Sequence, residues 1–72
     1  MLKNKMMELT KIIKEMEKKE NRIIEAYEIY ALMNNVKEIN ETSEEIYESI
    51  YEDIIYNLGY SEKRHFTYVD YE

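Results

Sequence analysis

From Met1 to Leu58 the chain contains neither proline nor glycine, and Gly59 is its single glycine. Proline removes a helix hydrogen bond and glycine costs about 1 kcal/mol at an interior helix position. Their absence, beside abundant Glu, Lys, Ile, Met and Tyr, predicts an all-α fold built from long helices. At 72 residues the chain is one domain at most. A core of that size rarely yields more than about 3–5 kcal/mol of net stability, so oligomerisation or a bound partner is expected to supplement it.

Apolar residues follow a heptad from the start of the chain. Leu2, Leu9, Met16, Ile23 and Tyr30 lie seven apart, with Met6, Ile13, Glu20, Tyr27 and Asn34 interleaved. This is the pattern of a coiled-coil seam, and it predicts one long helix over about residues 2–34. Glu20 is the charged exception, in "EKKEN", where the helix has room to bend. In "IIEAYEIYALM" (23–33) only Glu25 and Glu28 are polar, so this half should be buried on more than one face.

"NN" at 34 and 35 is a plausible helix end, because Asn tolerates the left-handed conformation. Thr42 followed by Glu45 reads as a capping box, with Ser43 as the alternative cap. A second helix is therefore expected over about 43–58, with Ile46, Ile50, Ile54 and Leu58 beside Tyr47, Tyr51 and Ile55 as its apolar face and Gly59 as its terminator. The domain assignment is a helical hairpin over 1–60 and an extended aromatic and acidic tail over 61–72.

The second helix is about half as long as the first. Folded back as an antiparallel hairpin, it covers only the later part of its partner. Leu2, Met6, Leu9, Ile13 and Met16 would then need a second copy to cover them. The expected assembly is a coiled-coil-like, four-helix homodimer with those residues at its interface.

Charge is unevenly distributed. Residues 1–19 hold six lysines against three glutamates, whereas the remainder is strongly acidic and brings the net charge to −6. An acidic majority argues against nucleic acid as the main partner. Lys11, Lys14 and Lys18 do share a helix face that Arg22 would continue, but Glu8, Glu15 and Glu17 dilute it. No apolar run is long enough for a membrane span, and the N-terminus lacks the continuous apolar stretch of a secretory signal. The expected location is cytoplasmic.

Catalytic signatures are missing. There is no cysteine, and His65 is the single histidine. Neither a zinc site nor a nucleophilic triad can be assembled, and the Glu-x-x-His spacing of a di-iron bundle does not occur. No catalytic, cofactor-binding or metal residue is assigned, and the chain is not expected to be an enzyme.

What packing leaves unexplained is an acidic, tyrosine-bearing face in "EEIYESIYEDIIYNLGY" (44–60). Glu44, Glu45, Glu48, Glu52, Asp53, Tyr56 and Tyr60 are the candidate partner-binding residues. Tyrosines supply buried area at low entropic cost, and the carboxylates steer a basic partner. Carboxylates one helical turn apart also approximate the spacing of successive phosphates. In size and charge the chain is similar to the small acidic inhibitors that bacterial viruses make against host nucleases, including anti-restriction and anti-CRISPR proteins; no motif carries the likeness. The expected function is a regulator or inhibitor that occupies a basic, nucleic-acid-binding surface of a larger protein. The alternative is a coiled-coil accessory module of transcription or replication whose acidic face is merely solvated.

Overall fold

The computed structural model describes residues 2–59, 61 and 64, so Tyr60 and the tail apart from Ser61 and Arg64 lie outside the described residues. The fold is all-α, with four helices among the described residues: α1 (Leu2–Glu20), α2 (Ala26–Asn34), α3 (Lys37–Asn40) and α4 (Glu44–Leu58). None is long and apolar enough to cross a membrane.

The single helix expected over 2–34 is instead two, broken at Asn21. Its φ of 54° is left-handed, a region that Asn enters more readily than most residues. The Arg22 amide donates 3.3 Å back to the Glu17 carbonyl, the six-residue bond of a Schellman ending, while Lys18 and Lys19 complement the helix dipole. No glycine is needed where Asn does this work.

Beyond the break, an extended segment leads to Glu25 as the N-cap of α2. The Glu25 amide donates to the Glu28 carboxylate at 3.1 Å, and Arg22 grips that same carboxylate with two nitrogens at 2.8 and 2.9 Å. Arg22, with help from the Glu25 amide, lowers the Glu28 pKa to about 2. A depressed carboxylate stabilises the fold above its unfolded pKa near 4.5, and the contribution is lost as pH falls towards about 2.

α2 ends at Asn34 as "NN" suggests, although Asn35 is right-handed, with φ −84° and ψ −6°. "VKEIN" becomes the one-turn α3, which buries Ile39. The Thr42 hydroxyl donates 2.7 Å to the Ile39 carbonyl, leaving Ser43 to cap α4 through its acceptance of the Ile46 amide. Ser43, rather than Thr42, is therefore the cap.

α2 and α4 lie antiparallel, since Tyr30 stacks on Tyr51 while Asn34, one turn later in α2, accepts from the Tyr47 hydroxyl, one turn earlier in α4. α1 runs the other way relative to α2 and parallel to α4. Its first turn shares a groove with Ile50 and Asp53, its middle shares one with Asn57, and Glu17 near its end pairs with Arg64 beyond α4.

The core comprises Leu9, Ile13, Ile24, Ile29, Met33, Ile39, Ile50, Tyr51, Ile54 and Ile55, with Leu2, Met6 and Met16 packed against it. This corrects the premise of the expected dimer. Leu9 and Ile13 are 4% and 0% exposed within one chain, because the break folds α1 onto α4. Three positions assigned to packing faces, Ile23, Tyr27 and Ile46, are instead exposed.

Arg64 closes the far end. It is buried, and its guanidinium donates to the Glu17 carboxylate, to the Ile24 carbonyl at 3.2 Å and to the Gly59 carbonyl at 3.1 and 3.3 Å. Removing one partner of such a pair leaves desolvated groups unmatched, so Arg64→Ala is expected to cost about 2–4 kcal/mol in urea unfolding. At Asn21, the left-handed backbone makes Asn21→Gly tolerated within about 0.5 kcal/mol, whereas Asn21→Val loses about 1–2 kcal/mol in the same assay.

Candidate functional site

α4 contains five carboxylates and no Lys, Arg or His. Its helical period turns Ile50, Tyr51, Ile54 and Ile55 inward and leaves Glu45, Ser49, Glu52 and Tyr56 along the opposite ridge. Glu44 and Glu45 occupy the first turn, where the helix dipole favours negative charge. Tyr56 stands on the ridge with 81% of its surface exposed, although tyrosine is a residue that most proteins at least half bury. Glu44, Glu45 and Asp53 are exposed around it.

Glu48 and Glu52 differ from their neighbours. Both are half-buried, and Glu48 sits on the flank of α4 that borders the tyrosine cluster. Tyr30 lies between Tyr47 and Tyr51, with ring centroids 6.1 and 4.2 Å away and planes within 9° and 11° of parallel. The Tyr30 hydroxyl donates to Glu48 at 3.0 Å. Tyr47 donates to Asn34 Oδ1, and burial, aided by the nearby Glu48 charge, raises its pKa.

Glu52 is held in tension with its surroundings. Its Oε2 is shielded from solvent and has no hydrogen-bond partner among the described residues. Burial first, then repulsion from Glu48 and Asp53, raises its pKa. Glu52 therefore costs the fold stability once it ionises.

The expected partner-binding set is thus divided by the structure. Glu44, Glu45, Asp53 and Tyr56 are available to a partner; Glu48 is engaged with Tyr30, Glu52 is only partly available, and Tyr60 lies outside the described residues. Asp53 also looks across to α1, where it lines a groove with Lys3. The basic face expected to continue to Arg22 stops at Lys18, because Arg22 lies in the connection and is committed to Glu20 and Glu28. Among the described residues no three His, Asp or Glu side chains gather as a metal site.

The chain matches no known family profile, and no curated protein or solved structure is detectably similar to it. Its function must be argued from the ridge alone.

A carboxylate with a raised folded pKa destabilises the fold above its unfolded pKa and is neutral below it. Glu52→Gln is therefore expected to raise the urea midpoint at neutral pH, with the gain vanishing below about pH 4. A gain independent of pH would assign the effect to packing rather than charge.

Proposed function

We propose that the protein is a small helical binding module whose α4 ridge docks on a basic surface of a larger protein and thereby regulates or inhibits it. The observation that carries this reading is Tyr56, 81% exposed on a helix that contains five carboxylates and no cation. An aromatic anchor within an acidic rim combines buried area with electrostatic steering, the two contributions that specific interfaces draw on.

Glu44, Glu45 and Asp53 supply the steering charge, and Glu48 and Glu52 add to the negative field from behind them. A surface that binds nucleic-acid phosphates is the kind of partner this field suits, and occupation of such a surface is inhibition by competition. The carboxylates spread along α4 suit a groove shaped to follow a phosphate backbone. Binding, rather than catalysis, is the activity proposed.

The test is affinity capture from the source cell with wild type and with Tyr56→Ala/Glu45→Lys. Wild type is expected to retain a basic protein that is released by an oligonucleotide or by about 0.5 M salt, and the variant to bind it at least tenfold more weakly. Equal capture by both proteins, or retention indifferent to salt and oligonucleotide, would overturn the reading.

A further inference from the structure

The lysines of α1 are not used by the ridge, yet they surround a second surface. Lys3, Lys11 and Lys14 rim a groove of about 410 Å³ whose floor includes Met6 and Met7 and whose far wall is Asn57 of α4. Met7 is 54% exposed, an apolar side chain set among cations. The groove is thus the chemical complement of Tyr56 and its acidic neighbours: an apolar, polarisable seat within a positive rim.

Seat and anchor lie on adjoining faces of the same chain. Asn57 forms the wall of the groove and follows Tyr56 directly, while Asp53 lines the adjoining groove with Lys3 and Met6. We infer that a second copy of this chain occupies the groove, in a two-fold dimer where Tyr56 of each copy sits on Met6 and Met7 of the other.

The register follows from symmetry. A two-fold axis parallel to α1 and α4 brings α4 of one copy over α1 of the other and leaves every residue at its own height along the axis. Within a chain, Asp53 lines a groove with Lys3 and Met6, and the equal rise of two parallel helices then sets Tyr56, three residues on, level with Met6. Tyr56 of the second copy therefore arrives near Met6 and Met7, with Glu52 and Asp53 one turn away towards Lys3 and with Lys11 on the other side. The parallel sense of α1 and α4 is what allows this match. The contact is made twice about one axis, which closes the assembly.

This surface shares only Met6 with the Leu2, Met6, Leu9, Ile13 and Met16 stripe, of which Leu9 and Ile13 are buried within the chain. It also sets self-association against partner binding, because Tyr56 serves both.

Sedimentation equilibrium provides the test, with circular dichroism to verify that each variant folds. Wild type is expected to dimerise at low salt and to weaken at least tenfold by about 0.5 M salt. Lys3→Glu/Lys11→Glu and Glu52→Lys/Asp53→Lys should each be monomeric alone, since each gives two like-charged faces. Their equimolar mixture should recover a heterodimer, because both cross-contacts are then of opposite sign. A monomeric wild type at about 0.5 mM, single variants that associate like wild type, or a mixture that stays monomeric would each overturn the inference. The lysine variant retains its ridge and should still capture the basic partner, so a failure of the dimer and a failure of the proposed function are read separately.

Discussion

One carboxylate, Glu17, ties together the places where this chain changes direction. Its Oε2 accepts from the Ile24 amide at 3.1 Å and from Arg64, and its own backbone carbonyl receives the Arg22 amide that ends α1. Arg64 in turn holds the carbonyls of Ile24 and of Gly59, just beyond α4. The end of α1, the entry to α2 and the exit from α4 are thereby fixed to one point. A small core needs such a point, because apolar contact alone is non-directional and would leave the angle between α1 and the α2–α4 pair weakly defined.

The helical class and the limits of α4 were legible from sequence because each rests on local chemistry: no breakers before Gly59, a serine cap, and an apolar stripe at helical spacing. The break at Asn21 was hidden by the very pattern that suggested a coiled coil. α1 and α2 each bury one stripe, and the spacing from Met16 to Ile23 to Tyr30 keeps the heptad across the connection by coincidence. A heptad records which residues are apolar, not whether the backbone between them is right-handed. Lys18 and Lys19 followed by Asn21 was the available sign of an ending, and the Glu17–Arg64 pair, separated by most of the chain, gave no local sign at all.

At the candidate site, residue type was legible and availability was not. The helical wheel of α4 sets Tyr56 opposite the core, and it is exposed. The same wheel cannot say that Tyr30, carried by a different helix, would draw Glu48 inward, or that Glu52 would lose part of its solvent. Those outcomes depend on the antiparallel seating of α2 on α4, which places three tyrosines in one stack. The stack uses aromatic area where an ordinary hairpin would use leucine, and the hydroxyls it carries need acceptors at its edge. Glu48 supplies one and Asn34 another. The acidity of α4 is thus partly internal: some carboxylates complete the tyrosine cluster, and others project from it.

This division gives the charge asymmetry of the sequence a structural meaning. α4 carries no cation, while the face of α1 beside it presents lysines around an exposed methionine. The parallel sense of these two helices, made possible by the reversals at Asn21 and through α3, sets the opposed fields side by side on one molecule. Asp53 and Lys3 line one groove where the patches meet, so the opposed fields offset one another there and are strongest away from it. Under the proposed binding, the exposed apolar groups of the two patches, Tyr56 in one and Met7 in the other, set which surfaces seat on them.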